Sequence, residues 1–480
     1  MSTSDAGRLS IATCCFDGSP ATADAALPPC QIAHTRPRSP TMPISTFNRL
    51  LLACLVSLLA VSAASGENAP PEAAALYPYE GTYELSPGHR ISMGVMGEMG
   101  NAMVWLDLKT LKVGQLEPIK DGVFKDHNDP ALTFQFSKDA GGKVSGVKLA
   151  KEGATTLAKK IRLHTIEEIT FSSSGRKLRG NLYLPKSSGK NPMVVFAHGS
   201  GPATRDVGPF STFFLQLGIG VLTFDKQGTG ESEGDWQIAS FDDLAADVLA
   251  AVDYVKSRPE VDSRKVGVMG SSQGGWIGSM AAAKRPDLAF LLMRVGPGQS
   301  VRKTMAHEKR GQLIAEGVTN PNDLDTAIAM YNAYWDVAVR GGTWEEGNEH
   351  FLAQSQKPWF KKAYGEPQTT KDEALGRWWM WLGRNLEYDS ADYLKTVRTP
   401  VFWALAEKDW NLNSQASAPR IREALRQAGN QDVTVEILPK MGHTGMVVKT
   451  GLPNDAMSWQ YAPGYWNGMA TWLSERGIAR

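Results

Sequence analysis

The sequence predicts an α/β fold in which a mostly parallel sheet is flanked by helices. Near-continuous apolar segments recur between residues 192 and 405, and helical patterns separate them. Such segments form strands that are buried on both faces, which requires helices on either side of the sheet. Before residue 165 the pattern differs, because turns and alternating strands dominate there. The chain has 480 residues, of which 42% are hydrophobic, so it can build a large core.

Five apolar segments predict the parallel strands. Between them lies a clear amphipathic helix at residues 241–257, where Leu244, Val248 and Val255 recur on one face. Strands that alternate with such helices indicate a parallel sheet. The five segments are residues 192–197, 220–224, 265–269, 290–293 and 400–405.

Residues 298–395 interrupt this alternation and contain six tryptophans. Their periodicity predicts several helices, so we expect a helical cap insertion over one end of the sheet. Trp378, Trp379 and Trp381 cannot all face one way on a single helix. Aromatic residues at helical spacing usually belong to the core, and the alternative is that some of these three line a pocket. The predicted helices cover about residues 300–316, 322–339, 344–356 and 370–385.

Two domains are predicted after the N-terminal leader. Residues 66–160 read as a small antiparallel β-rich domain, because period-two patterns there are separated by Gly and Asp turns. We find no catalytic grouping in it. Residues 161–480 form the larger α/β domain. The alternating strands of the small domain are expected within residues 79–83, 91–95, 132–136 and 144–149.

Residues 1–65 read as a leader that contains a secretory signal peptide at about 42–65. Arg49 precedes a short apolar run, Leu50–Val61, and small residues follow it. This order of a charge, a short apolar core and small residues is typical of a signal peptide. The run is too short to span a bilayer, so we expect no stable membrane span after cleavage. The pattern predicts a secreted or periplasmic protein whose start is Met1 or Met42.

Composition excludes several kinds of chemistry. All four cysteines, Cys14, Cys15, Cys30 and Cys54, lie in the leader. The mature chain therefore has neither a cysteine nucleophile nor a cysteine-held metal. The net charge of +1 offers no strongly basic surface for nucleic acid. We expect no metal ion and no organic cofactor, and the oligomeric state is left open.

The strongest chemical signal is a G-x-S-x-G pattern, Gly270 to Gly274, between a predicted strand and a predicted helix. A nucleophile on a very sharp strand-to-helix turn crowds the backbone, so its neighbours must lack a Cβ. Ser272 is the nucleophile by register. Ser271 would need glycines at positions 269 and 273, which are Met and Gln.

A second Gly-rich loop, His198 to Gly201, follows the strand 192–197. In this kind of fold such a loop supplies one backbone N–H of an oxyanion hole, and the residue after the nucleophile, here Gln273, supplies the other. Gly199 and Ser200 are the candidates in the loop, and the sequence leaves open which N–H of residues 199–201 points inward. His198 precedes the nucleophile, so we interpret it as architectural.

A serine hydroxyl needs a base, and the base needs an orienting carboxylate. The chain order in this architecture is Ser, then acid, then His. His443 lies in a Gly-flanked loop after a strand, whereas His307 and His350 fall inside the helical insertion. Asp409 follows the strand 400–405 and is preferred to Glu407, because it lies further into the loop.

Five segments then carry a resemblance to a known family. They are HGSGPATRD at 198–206, FDKQGTGES at 224–232, GSSQGG at 270–275, AEKDWN at 406–411 and GH at 442–443. The chain resembles the α/β-hydrolase superfamily over residues 165–480. It is most similar to exported serine hydrolases related to dienelactone hydrolases and to the catalytic domain of prolyl oligopeptidases. It departs from the former, which use Cys where Ser272 stands, and from the latter, whose propeller would not fit into residues 67–160.

The resemblance implies an α/β-hydrolase fold with an esterase-like activity, and it does not fix the substrate. We predict hydrolysis of small-molecule carboxylic esters through an acyl-enzyme. Ser272 is the expected nucleophile, His443 the base, and Asp409 the residue that orients the imidazole. Two alternatives stay open: a peptidase or amidase of prolyl-oligopeptidase type that uses the same residues, and an inactive scaffold that binds a ligand beneath the Trp-rich insertion.

Overall fold

The computed structural model of the protein describes residues 73–479. The predicted leader at residues 1–65, with its signal peptide and all four cysteines, lies outside the described residues. The described chain forms two sheets, one closed and one open. Among its helices, none is both long enough and apolar enough to cross a membrane.

The N-terminal strands form a closed antiparallel barrel. They are β1 (Gly81–Ser86), β2 (His89–Met96), β3 (Ala102–Asp107), β4 (Lys112–Lys120), β5 (Val123–Asp126), β6 (Thr133–Lys138), β7 (Val144–Lys151) and β8 (Ala154–Ile161). Each strand pairs with the next, and β1 closes the barrel by pairing with β8. Closure buries Tyr83, Met93 and Phe134 completely. The sequence predicts the antiparallel strands here but not their closure, which depends on pairing between the two ends of the segment.

Strand β3 joins the barrel to the rest of the chain, because both of its faces are buried. Met103 and Trp105 belong to the barrel interior, whereas Val104 and Leu106 pack into the core of the larger sheet. A strand that is buried on both faces shows no period-two pattern. For that reason the sequence pattern did not predict β3. The two cores meet at this strand.

Backbone hydrogen bonds fasten the barrel to the larger sheet and its helices. The N–H of Gly97 donates to the carbonyl of Asp206 at 2.9 Å, and the N–H of Gly208 donates to the carbonyl of Val95 at 2.7 Å. Gly94 allows this approach, since a Cβ there would lie 2.6 Å from the carbonyl oxygen of Gly208. The end of β2 is therefore held directly against the larger part of the fold.

The open sheet has eight strands and is mostly parallel. They are β9 (His164–Ser173), β10 (Arg176–Pro185), β11 (Asn191–Ala197), β12 (Gly220–Phe224), β13 (Val261–Ser271), β14 (Leu291–Arg294), β15 (Val401–Ala406) and β16 (Val433–Leu438). Their order is β16-β15-β14-β13-β11-β12-β10-β9. The five neighbouring pairs from β12 to β16 are parallel. The hairpin of β9 and β10 adds the two antiparallel pairs.

Helices flank this sheet and fill the long connection between β14 and β15. The connection holds six helices where the sequence predicts four, because the two extra ones have only seven and five residues and show little periodicity. The helices are α1 (Ala73–Leu76), α2 (Pro209–Gln216), α3 (Phe241–Lys256), α4 (Gln273–Lys284), α5 (Val301–Ala315), α6 (Pro321–Val339), α7 (Trp344–Leu352), α8 (Pro358–Tyr364), α9 (Glu373–Asn385), α10 (Ser390–Leu394), α11 (Ser414–Gln427) and α12 (Tyr465–Glu475).

The turn between β13 and α4 holds Ser272 in an unusual backbone conformation. Its φ is 52° and its ψ is −117°, a region that residues with a side chain rarely adopt. The flanking glycines have no room for a Cβ. One on Gly270 would lie 2.2 Å from the carbonyl oxygen of Gly274, and one on Gly274 would lie 2.1 Å from that of Ala197. The G-x-S-x-G pattern is therefore a steric requirement of this turn.

We predict that Gly274→Ala lowers the free energy of unfolding by roughly 1–3 kcal/mol or more, because the new methyl group meets the backbone of β11. Gly376→Ala is the matched control. Gly376 also lies inside a helix, α9, but the space around its Cβ position is open. Its replacement should raise the free energy of unfolding by up to about 1 kcal/mol. Urea denaturation measures both changes, and equal effects would contradict the steric argument.

A second prediction concerns Glu80, which lies just before β1. Burial raises its pKa from 4.5 to about 8, although its carboxylate accepts a hydrogen bond from the N–H of Val95 at 2.7 Å. Between pH 4.5 and about pH 8, Glu80 therefore keeps a proton in the folded chain that it releases in the unfolded chain. The contribution of Glu80 to stability therefore falls as the pH rises through this range.

Glu80→Gln should remove this part of the pH dependence, whereas Glu366→Gln, at an exposed site, should leave it in place. Chemical denaturation at about pH 5 and about pH 8 measures the difference. If wild type and Glu80→Gln lose the same stability between the two conditions, the prediction is wrong.

Candidate active site

The site lies at the carboxyl ends of four neighbouring parallel strands. Strands β13, β14, β15 and β16 are adjacent in the sheet, so their ends meet at one edge. Ser272 directly follows β13, Asp409 comes three residues after β15, and His443 comes five residues after β16. The topology therefore gathers side chains that are far apart in sequence.

The structure brings these three predicted residues together in one hydrogen-bonded chain. Nε2 of His443 lies 2.9 Å from Oγ of Ser272. Nδ1 of His443 lies 2.9 Å and 3.0 Å from the two carboxylate oxygens of Asp409. Because Nδ1 must carry a hydrogen to donate to a carboxylate, Nε2 of the neutral ring is left as an acceptor for the serine hydroxyl.

Asp409 is held firmly in this position. Its side chain has no exposed surface, and one of its oxygens accepts hydrogen bonds from the N–H groups of Asn411 at 2.9 Å and Leu412 at 3.2 Å. Nε2 of His307, on α5, lies 3.0 Å from the backbone carbonyl oxygen of Asp409. The helical insertion thus touches the loop that carries the acid, a contact that the sequence analysis did not assign.

The other candidates have different surroundings. Glu407 is exposed, and its carboxylate accepts a hydrogen bond from the N–H of Lys440 at 2.7 Å. His350 lies in the last turn of α7 and lines neither cavity beside Ser272. His198 is buried with Nε2 2.5 Å from the carbonyl oxygen of Phe224, and burial lowers its pKa to about 4. These contacts agree with the sequence-based preference for Asp409 and His443.

The predicted oxyanion residues surround Ser272. Gln273 is the first residue of α4, so its N–H belongs to the end of a helix where N–H groups lack intrahelical acceptors. A Cβ on Gly199 would lie 3.7 Å from Cβ of Ser272. Ser200 lines both cavities that open beside the serine. Gly199 and Ser200 both remain candidates for the second donor.

Lys226 supports the loop of residues 199–201 from behind, and the sequence analysis did not single it out. Its buried ammonium donates to the carbonyl oxygens of Gly199 and Gly201, the latter at 2.8 Å. It also lies 3.4 Å from the side-chain oxygen of Gln273. Burial lowers the pKa of Lys226 to about 7, and the negative charge of Glu98 opposes part of this shift. The signal was present in FDKQGTGES, where a lysine comes two residues after a buried strand.

Two cavities open beside Ser272 and His443. The larger has a volume of about 180 Å³ and the smaller about 60 Å³. The larger is walled by β3 and β4 and by the loop of residues 441–461, whereas the smaller lies against the helical insertion. The two cavities share Ser200, Ser272, Asn411 and His443 in their walls, so space opens on two sides of Ser272.

The barrel contributes a wall of the larger cavity through a turn at Gly97–Met99. Val104 and Val113, from β3 and β4, extend this wall. The sequence analysis found no catalytic grouping in residues 66–160. The structure agrees that none of the hydrogen-bonded chain comes from there, but it assigns the segment a part in shaping the pocket.

The three tryptophans of α9 divide between the two roles that the sequence left open. Trp378 and Trp381 stack with their ring centroids 4.9 Å apart, and both line the smaller cavity. Trp379 points elsewhere, donates to the carbonyl of Gly342 at 2.9 Å and packs against Tyr334.

Within residues 73–479 there is no group of three or more acidic, histidine or cysteine side chains that could hold a metal ion.

Comparison with known proteins agrees with this geometry. Residues 189–447, just over half of the chain, match the family model described as serine aminopeptidase, S33. The thiohydrolase aneE of Aspergillus aculeatus is 30% identical over 215 residues, which cover 41% of this chain and 64% of that protein. The esterase EstD of Thermotoga maritima is 29% identical over 177 residues, which cover 35% of this chain and 42% of that protein.

The chain thus spans less than two thirds of the length of either relative. A solved esterase of Pyrococcus furiosus aligns with a TM-score of 0.37 and 17% identity over 57% of this chain and 83% of its own. The family model covers strands β11 to β16, the turn at Ser272 and both partner loops. The chain therefore belongs to the serine aminopeptidase S33 family, and it is a serine hydrolase of the α/β-hydrolase superfamily.

Proposed function

We propose that the protein is an exported esterase that hydrolyses small-molecule carboxylic esters through a Ser272–His443–Asp409 triad. The observation that carries the proposal is the continuous hydrogen-bonded chain from the Ser272 hydroxyl to the buried Asp409 carboxylate, which opens into two mainly apolar cavities. Export depends on the predicted signal peptide at about 42–65. The relatives named esterase and thiohydrolase support the acyl-transfer chemistry.

In the first half-reaction His443 Nε2 takes the proton of the Ser272 hydroxyl as the oxygen attacks the ester carbonyl carbon. The carbonyl π bond opens, and its oxygen becomes an oxyanion. The N–H of Gln273 and one N–H from Gly199 or Ser200 donate to that oxygen. Asp409 stabilises the positive imidazole ring. When the carbonyl re-forms, the alcohol leaves with the proton from His443 Nε2, and the acyl group stays on Ser272.

The second half-reaction repeats these steps with water as the nucleophile. His443 takes a proton from water, the hydroxide attacks the acyl-enzyme, and the same donors hold the oxyanion. Collapse releases the carboxylic acid and returns the proton to Ser272. One ester and one water give one acid and one alcohol, so no metal ion or cofactor enters the balance.

Lys226 gives the oxyanion loop its rigidity in this scheme. By binding the carbonyl of Gly199, it orients the peptide between Gly199 and Ser200, whose N–H belongs to Ser200, and by binding the carbonyl of Gly201 it fixes the end of the loop before Pro202. Donors that are already oriented need no reorganisation as charge develops on the substrate. Lys226 is thus a positioning residue, and it does not touch the reacting atoms.

The description of the family model favours one further candidate, amide hydrolysis by the same residues. An acyl-enzyme mechanism accommodates an alcohol, thiol or amine leaving group. An oxygen ester, a thioester and an anilide that share one acyl group separate these activities when kcat/KM is measured for each. We expect the oxygen ester or thioester to be cleaved faster than the anilide, and a dominant anilidase activity would favour the peptidase.

We predict that Ser272→Ala lowers kcat for p-nitrophenyl esters by about 10⁴-fold or more while the fold is kept. Ser271→Ala is the matched control, because it alters the neighbouring serine and leaves the turn intact. It should retain turnover and covalent labelling by a fluorophosphonate probe. Full activity of Ser272→Ala would refute the assignment. Wild type that is neither labelled nor active on any of the three substrates would favour the inactive scaffold.

The smaller cavity gives a prediction for substrate size. Trp378→Ala should enlarge it and move the optimum of kcat/KM toward longer esters, from acetate toward laurate. Trp379→Ala removes a ring of the same size that does not line the cavity. It should lower the free energy of unfolding by roughly 2–3 kcal/mol without moving the optimum. If both variants lose stability and neither changes the chain-length profile, the tryptophans of α9 do not select substrates.

A further inference from the structure

We propose that the larger cavity selects esters that carry a carboxylate, and that Arg294 binds this carboxylate. The inference rests on the proposed function, because it names the substrate class of the same site. Arg294 is the last residue of β14, the strand between β13 and β15. Its backbone carbonyl accepts a hydrogen bond from the N–H of Ser272 at 3.1 Å. Its side chain lines the larger cavity together with Ser272 and His443.

The guanidinium of Arg294 is a cation without an anionic partner in the described chain. It makes no ion pair and no hydrogen bond with any residue of 73–479, and its Nε is fully buried without an acceptor. It is flanked by aromatic rings instead, 4.8 Å from the ring centroid of Phe210 and 5.8 Å from that of Tyr465. Such rings stabilise the positive charge but do not accept the in-plane N–H groups. The terminal N–H groups of this cavity-lining residue therefore have no acceptor in the described chain, whereas Nε is enclosed.

Tyr465, which is not a lining residue of the cavity, carries a second donor without a partner. Its hydroxyl is buried and has no hydrogen-bond partner, and its ring flanks Arg294. Buried polar groups without partners are rare in folded proteins, because each costs the solvation that it loses. The Nε of Arg294 and the hydroxyl of Tyr465 are two such groups, and an unpaired guanidinium at a cavity is matched by a hydrogen-bond acceptor with negative charge. A carboxylate has that chemistry and matches the planar fork of a guanidinium.

The cavity also contains one negative charge, which opposes the binding of an anion. Glu98, on the barrel turn, also lines the cavity and makes no ion pair with the described residues. Its carboxylate lies close to the loop that Lys226 supports, 3.9 Å from the Cβ position of Gly199, and it favours the charged form of Lys226. Lys226 thus offsets part of the negative charge of Glu98, and Arg294 is the cavity-lining cation that would attract an anion.

The remaining wall defines the substrate further. The wall is largely apolar, with Val104, Val113, Met446 and Tyr461 among its residues. The matching molecule is an ester with a short apolar part that ends in a carboxylate, such as a half-ester of a dicarboxylic acid or an ester of a carboxylated phenol. These two differ in whether the acyl or the alcohol part occupies the larger cavity, and the experiment separates them.

The test measures kcat/KM for two pairs of esters whose members differ in the carboxylate. Mono-p-nitrophenyl glutarate and p-nitrophenyl pentanoate place it on the acyl part. p-Acetoxybenzoate and its methyl ester place it on the alcohol part. The proteins compared are wild type, Arg294→Gln, Arg294→Lys and Arg264→Gln. The last removes the same charge from a side chain that is 88% exposed on β13, away from the cavity.

We expect wild type to prefer the carboxylate member of one pair by about tenfold or more, which is the usual effect of a hydrogen-bonded charge pair. Arg294→Gln should reduce this ratio to about one while it still cleaves the neutral member. Arg294→Lys, which keeps the charge but not the fork, should give an intermediate ratio, and Arg264→Gln should keep the wild-type ratio.

Several results would overturn the inference while leaving the proposed function intact. Wild type could show no preference in either pair, or Arg294→Gln could keep the wild-type ratio. Arg264→Gln could lose the ratio as fully as Arg294→Gln does. Finally, kcat/KM for the carboxylate member and for the neutral member could fall equally in both Arg294 variants. If wild type cleaves no ester at all, the proposed function fails. Calorimetric binding of glutarate to Ser272→Ala, absent in Ser272→Ala/Arg294→Gln, would then support the anion site, and no binding to either protein would overturn it.

Discussion

The contact of one glycine with a backbone carbonyl sets the geometry of the whole site. Gly274, in the first turn of α4, lies so close to the carbonyl of Ala197 at the end of β11 that no Cβ fits between them. This approach forces the left-handed conformation of Ser272 and brings the helix N-terminus beside the loop that follows β11. The nucleophile, its N–H neighbour and the second oxyanion loop are thus positioned by a single close contact between two adjacent strands and one helix.

Around that contact, the buried charges differ in how they are balanced. Asp409 is satisfied by the imidazole and by two backbone N–H groups, and Lys226 by two carbonyls. These two residues hold other groups in place. Arg294 has no such partner, although an unpaired cation next to a cavity is costly. Arg294 is the cation of the cavity lining that makes no ion pair with the described residues, which is why we infer that the site binds an anion.

The barrel extends this site beyond the hydrolase sheet. Because β3 is buried on both faces, the barrel and the catalytic sheet share an apolar boundary, and the turn at Gly97–Met99 is held over the nucleophile. The insertion approaches from the other side through Trp378, Trp381 and His307. The two cavities beside Ser272 are therefore walled by two elements that are remote in sequence, while Ser272, Asp409 and His443 all follow strands of the sheet.

The sequence by itself determined the parallel strands, the turn at Ser272, and the choice of His443 and Asp409, because each depends on local patterns: apolar runs, glycines with no space for a Cβ, and loops at strand ends. It also indicated antiparallel strands in residues 66–160. Only the tertiary structure decided that these strands close into a barrel, that β3 belongs to two cores, and that Trp378 and Trp379 have opposite roles. Lys226 and Arg294 were visible as residues but not as parts of a site. The reason is physical: burial, the absence of a partner and the sharing of a cavity are relations between distant segments, and no local pattern encodes them.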